Sequence, residues 1–108
     1  MAKRTPLIPE PCCTLTICGK EQDRFVGMLK AAGNPIRFEI LKFLVTHPGC
    51  ITGEIVDHLP IAQATVSQHL KVLRESGWIE GEIAGPAVCY QLSKKNIAWF
   101  RTITDEIF

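Results

Sequence analysis

Between Thr52 and Gly77 two short helical patterns stand almost end to end, and this closeness constrains the fold more than any other feature of the chain. Ile55, Val56 and Leu59 form the apolar set of the first, with Thr52 placed three residues ahead as a cap and Pro60 closing it. After the brief link Pro60-Ile61-Ala62, Val66, Leu70 and Leu73 recur at i, i+4 and i+7 until Gly77 stops the second. Two short helices joined by three or four residues fit a helix-turn-helix unit, whose second helix enters the major groove of DNA.

Such a helix has to expose chemistry that reads base edges. Gln63, Ser67, Lys71 and Arg74 fall at i, i+4, i+8 and i+11, away from the Val66, Leu70 and Leu73 stripe. Gln63, Ala64, Thr65, Ser67 and Gln68 populate the first turns, where a recognition helix meets the bases. Glutamine pairs bidentately with adenine, serine and threonine bond bases or phosphates, and a threonine methyl or an alanine touches the thymine methyl. Any surface helix also carries Gln, Ser and Lys, so the order of the surrounding elements decides between readout and solvation.

Upstream, Phe25, Val26, Leu29 and Ala32 recur at helical spacing from about Glu21, and Gly33 supplies a stop. Asn34-Pro35 follows as an N-cap side chain with proline at the first helical position, and a second helix runs to about Thr46, burying Ile36, Ile40, Leu41 and Leu44. His47-Pro48-Gly49 then breaks the pattern. Downstream, Trp78 to Glu82 and Ala87 to Leu92 alternate in part around Ala84-Gly85-Pro86 and read as a β-hairpin. Ser93 caps a last helix whose Ile97, Phe100, Ile103 and Phe108 would be wasted without a partner. The predicted fold is mainly α with a small β-hairpin wing: a winged helix-turn-helix, dimeric through its terminal helices. Its organisation is an N-terminal arm at residues 1–19 and a winged domain at 20–108, with the helix-turn-helix over about 52–76, the wing over about 78–92 and a dimerisation helix over about 93–107.

Composition agrees with one domain: 108 residues, 46% of them hydrophobic and 21% charged, leave no room for a second. A protomer of this size buries a limited fraction of its surface, and pairing two copies enlarges the core. The formal net charge is only +1, so DNA contact has to come from a local face. No stretch approaches the roughly 20 apolar residues of a membrane span, and Lys3 and Arg4 have no apolar segment behind them, so a cytoplasmic protein without membrane contact is expected. An enzyme is not expected: there is no Gly-rich phosphate loop or pair of catalytic carboxylates, and His47, His58 and His69 are isolated, with Asp57-His58 at a solvated helix end. No organic cofactor is implied.

Five cysteines, Cys12, Cys13, Cys18, Cys50 and Cys89, are an odd number with two adjacent, a poor disulfide framework and a better set of free thiols or ligands. Pro6, Pro9 and Pro11 bias the residues before them toward extended conformations, while Leu7, Ile8 and Leu15 make the arm apolar enough to lie against another surface, a partner subunit being one candidate. Thiolates suit thiophilic ions: three convergent sulfurs match a pyramidal trivalent centre such as arsenite or antimonite, and four suit zinc or cadmium better. Cys50, beside the positive end of a short helix, should deprotonate more easily than a free thiol. Free cysteines are also often small buried hydrophobes, which fits Cys89 between Val88 and Tyr90; Cys18 is either a further ligand or the lead-in to the first helix.

The segment Leu29-Lys30-Ala31-Ala32-Gly33-Asn34-Pro35-Ile36-Arg37-Phe38-Glu39-Ile40-Leu41 resembles the opening of the ArsR/SmtB family of metalloregulatory repressors, and Gln63 to Gly77 resembles that family's recognition helix. The likeness covers residues 22 to 100. It implies a homodimeric repressor of the arsenic-responsive type that binds double-stranded operator DNA and releases it when an inducer binds. It makes Gln63, Thr65, Ser67, Gln68, His69 and Lys71 the DNA-binding set, with His69 structural or phosphate-contacting because it precedes core Leu70.

Two departures from the family stand out. Ala62 replaces the usual capping serine, at a cost of about 1 kcal/mol. The wing carries Glu80 and Glu82 where relatives are commonly arginine-rich, which predicts a shallower salt dependence of DNA affinity.

The last helix lacks histidine, so the two-subunit zinc site of some relatives is not expected there, and Ile51 and Gly53 take the places of the Cys-x-Cys pair of some arsenic repressors. A few members use an arm cysteine pair with a third cysteine near helix three, across the dimer. That likeness gives the metal role to Cys12, Cys13 and Cys50, with trivalent arsenic or antimony as inducer and cadmium, lead or zinc as alternatives. Two rival readings remain: a thiol redox sensor in which Cys12 or Cys13 is oxidised and resolved by Cys50 without metal, and a winged-helix module that binds protein through its acidic wing.

Overall fold

The computed structural model describes residues 17–85 and 87–108, and of residues 50, 51 and 84 the backbone alone. Residues 1–16 of the arm, Cys12 and Cys13 among them, and Pro86 of the predicted turn lie outside the described residues. In chain order the elements are α1 (Gly19–Ala32), α2 (Pro35–Thr46), β1 (Cys50–Ile51), α3 (Thr52–His58), α4 (Gln63–Ser76), β2 (Ile79–Ala84), β3 (Ala87–Leu92) and α5 (Lys94–Ile107).

The α1 helix starts two residues earlier than expected, and its buried stripe is Phe25, Met28 and Ala31. Val26 and Leu29, expected on the core side, are instead 42% and 47% exposed. The apolar set of α1 is therefore wider than one core can cover. Ile17, assigned to the arm, is buried with Phe25 and Ile103 and belongs to the domain.

Asn34 caps α2 as its sequence position demands: its Oδ1 accepts from the backbone N–H of Ile36 at 2.9 Å and of Arg37 at 3.1 Å, and Pro35 follows at N1. Ile40, Leu41 and Leu44 are buried, while Ile36 is only partly so. Thr52, expected as a cap, is the first residue of α3 itself.

The predicted hairpin is present, from Ile79↔Leu92 to Ala84↔Ala87, and gains a third strand. The β1 strand pairs antiparallel with β3, Cys50↔Tyr90 and Ile51↔Cys89, giving the order β1-β3-β2. Trp78, expected to open the first wing strand, instead completes the end of α4: its N–H bonds Leu73 O at 3.0 Å, and that of Gly77 bonds Arg74 O at 3.2 Å. With Gly77 in the left-handed region this is a Schellman ending. Ser93 caps α5 as predicted, its buried hydroxyl accepting from Asn96 N at 3.4 Å.

One core joins α2, α3, α4 and the sheet through Ile40, Leu44, Ile55, Val66, Leu70, Leu73 and Ile79, and half-buried Ile61 packs beneath the link between α3 and α4. A second, smaller cluster joins α1 and α5: Phe25 stacks on Phe100 at 4.8 Å and meets Trp99 edge-on at 6.4 Å. Among the described residues no helix is long and apolar enough to cross a membrane.

Candidate nucleic-acid interface

The α4 helix is amphipathic, and its burial pattern follows from its sequence. Val66, Leu70 and Leu73 are 0–1% exposed and seat the helix on the core, whereas Gln63, Thr65, Ser67, Gln68, Lys71 and Arg74 are all exposed. Five of the six residues assigned to DNA contact, Gln63, Thr65, Ser67, Gln68 and Lys71, thus present donors, acceptors or charge to solvent on one rigid element. Ala62 at the N-cap makes no side-chain hydrogen bond, and its carbonyl receives Thr65 N at 3.1 Å and Val66 N at 3.0 Å. Ala62 therefore offers no side-chain acceptor to the first N–H groups of α4, which have no partner within the helix itself.

The sixth residue, His69, is half-buried on the flank of the helix. Arg37 Nη1 stands 3.3 Å from its Nδ1, and Arg37 Nε donates to Ala31 O at 2.7 Å. Burial first, and the Arg37 charge second, hold the His69 pKa below its ordinary value of 6.5. Both effects favour the neutral form of the ring.

Two further bonds fix α4 and its exit to the terminal helices. Trp78 Nε1 donates to Met28 O at 2.7 Å. Asn96 Nδ2 donates to Gly77 O at 3.0 Å, and Asn96 Oδ1 accepts from Arg24 Nη2 at 2.8 Å, while the Arg24 guanidinium lies 3.8 Å over the Trp99 ring. Sequence reasoning missed Arg37, Trp78 and Asn96 in these roles, since contacts between residues 19 to 50 positions apart leave no local pattern.

The wing carboxylates Glu80 and Glu82 are exposed, and Ile83 is 81% exposed beside them. The histidines are less isolated than expected, because His47 and His58 both pack against Phe43, with ring centroids at 4.3 and 4.4 Å.

Among the described residues no three His, Cys, Asp or Glu side chains come together to hold a metal. Of the expected ligands, Cys50 opens β1 directly ahead of α3, and Cys12 and Cys13 lie outside the described residues. Cys18 is an exposed free thiol at the start of α1, and Cys89 is a half-buried one in β3.

Among the described residues, five helices, a helix-turn-helix with a polar second helix and a β wing define a protein of the winged helix-turn-helix class. The chain belongs to the arsR family of bacterial regulatory proteins, whose model matches residues 34–80. It is 38% identical over 71 residues to the HTH-type transcriptional repressor SmtB of Mycobacterium tuberculosis, a stretch covering 66% of this chain and 52% of that repressor. The chain thus spans about half the length of this relative. It is 32% identical over 78 residues to the transcriptional activator HlyU of Vibrio cholerae, covering 72% of this chain and 71% of the activator. A solved structure of HlyU superposes with a TM-score of 0.67 at 30% identity, covering 80% of this chain and 94% of that one. A crystal structure described as a possible transcriptional regulator for arsenical resistance gives 0.67 at 27% identity over 75% of this chain and 83% of the other. These relatives are regulators, in agreement with the expectation that the chain is not an enzyme.

Proposed function

We propose that the protein is a DNA-binding transcriptional repressor that works as a homodimer and releases its operator when a thiophilic ion binds its cysteine thiolates. The observation that carries this reading is the face of α4: Gln63, Ser67, Gln68 and Lys71 are exposed opposite a stripe that is 0–1% exposed, on a helix pinned at its flank and end. Such a helix reads base edges, and a dimer sets two of them about 34 Å apart, one turn of the duplex. Dimerisation is supported by apolar surface that the protomer leaves uncovered. Val26 and Leu29 of α1 and Phe38 and Val45 of α2 are 42–65% exposed, and a second copy would remove them from water.

The inducer in this reading is arsenite or antimonite, held by Cys12, Cys13 and Cys50 as a pyramid of three thiolates, with cadmium, lead or zinc as alternatives. The position of Cys50 supports it: this residue begins β1, β1 runs into α3, and α3 packs on α4 through Ile55 and Leu70 in one core. An ion tying the arm to β1 displaces α3 slightly, and both α4 helices then miss successive grooves. By linkage, ion and operator weaken each other by the same factor.

The test is operator release measured against arsenite, antimonite, cadmium, lead and zinc, for the parent and for Cys12→Ser, Cys13→Ser and Cys50→Ser. Arsenite or antimonite should release the parent, and each replacement should raise the ion concentration required by about tenfold or more without changing ion-free DNA affinity. Three replacements that respond like the parent would remove this site. Release by mild oxidant with a disulfide seen by mass spectrometry would replace the ion with thiol oxidation. The exposed Glu80 and Glu82 favour a second reading, a protein-binding module, and failure to retard any duplex at low salt would decide for it.

A further inference from the structure

The Arg37 side chain crosses from α2 to α4 and touches both ends of its path. Its backbone is anchored in the first turn of α2 by the Asn34 cap at 3.1 Å, its Nε donates to Ala31 O at 2.7 Å in the last turn of α1, and its Nη1 lies 3.3 Å from Nδ1 of His69. A guanidinium is always charged and has donors only, so Nδ1 is the acceptor in this contact. The imidazole is then neutral with its proton on Nε2. Among the described residues Nε2 has no hydrogen-bond partner, so it remains a donor on a ring that is only half-buried.

His69 occupies one flank of α4, with Val66 and Leu73 of the buried stripe on one side of it and the exposed Thr65, at i−4, on the other, across the stripe from Lys71. When the exposed face enters a groove, a flank position meets its wall, which is lined by phosphates, and not the base edges. We infer that Arg37 is a positioning residue for α4, holding His69 as an uncharged Nε2–H donor for a phosphate oxygen of the duplex. This rests on the DNA-binding reading above and adds to it which atom of His69 donates and what sets it.

An uncharged donor contributes a hydrogen bond without displacing a counterion, whereas a cation at the same place adds about 0.9 to the slope of log affinity against log salt. The role of Arg37 is thereby separable from that of Lys71. In the free full-length chain at neutral pH, nitrogen-edited NMR should show the Nε2–H tautomer of His69 predominating. Arg37→Lys, which keeps the charge but loses the planar fork, should lose that preference with helical content unchanged. On duplex DNA, His69→Ala should bind about tenfold more weakly with the salt slope unchanged, and His69→Gln, which restores a terminal donor, should bind within about threefold of the parent.

An Nδ1–H tautomer in the parent, an unaltered tautomer in Arg37→Lys, or a slope reduced by about 0.9 in His69→Ala would each overturn the inference. A parent that binds no duplex at any salt defeats the DNA-binding reading and the phosphate contact together. The NMR result stands apart from that outcome and shows which of the two claims has failed.

Discussion

His69 and Leu70 are adjacent on α4 and serve opposite needs: Leu70 is 1% exposed and anchors the helix, while His69 keeps a polar ring half in water beside Arg37. The lowered proton affinity of His69 makes stability depend on pH with a definite sign. The unfolded chain takes up this proton at the ordinary value of 6.5 and the folded chain only at lower pH. The contribution is therefore complete above 6.5 and is lost as pH falls from there through the lower folded value. The urea midpoint should be flat from about pH 8 to 7 and decline below about 6.5, more steeply in the parent than in His69→Gln. At this scale the exposed set Gln63, Ser67, Lys71 and Arg74 was legible in the sequence, because helical period alone fixes which side of α4 is free once Val66, Leu70 and Leu73 are buried. Arg37 was not, since a partner 32 residues away leaves no trace in local spacing.

The α4 helix is unevenly finished at its two ends. Its N-cap, Ala62, has the extended backbone that a capping serine adopts, φ −67° and ψ 149°, but no side-chain oxygen. Ala62→Ser should therefore stabilise the fold by about 1 kcal/mol in urea denaturation. At the other end Gly77 has φ +101°, and a Cβ there would come within 3.3 Å of Asn96 Nδ2. Gly77→Ala should cost about 1–2 kcal/mol from the left-handed backbone alone, with a further loss if the Asn96 bond to Gly77 O is displaced. The five helices and the hairpin were legible from period and punctuation, as Asn34-Pro35 and Ser93 illustrate. The β1 strand was not, because two residues carry no periodicity, and Trp78 was misplaced because an aromatic next to Ile79 reads as strand until the Schellman bond to Leu73 is seen.

In the whole molecule a small domain leaves Val26, Leu29, Phe38 and Val45 partly exposed while pinning α4 to α1 and α5 through Met28 O and Asn96. The order of elements was enough to predict a winged helix. The width of the apolar surface on α1 and α2 was not legible, because a helical pattern shows which residues are apolar but not how much of the helix one core can cover. Leu29→Glu combined with Val26→Glu should convert a dimer into monomers in sedimentation equilibrium with helical content retained, and should weaken operator binding about a hundredfold or more, since two linked half-sites become one. The most direct test of the central claim, that the polar face of α4 reads a duplex, is selection of bound sequences from a pool of random DNA by the full chain. The expected product is an inverted repeat with half-site centres one helical turn apart, whose enrichment collapses for Gln63→Ala with Ser67→Ala while weak non-specific binding persists. A pool that yields no consensus, or the same consensus from parent and double variant, would contradict the account.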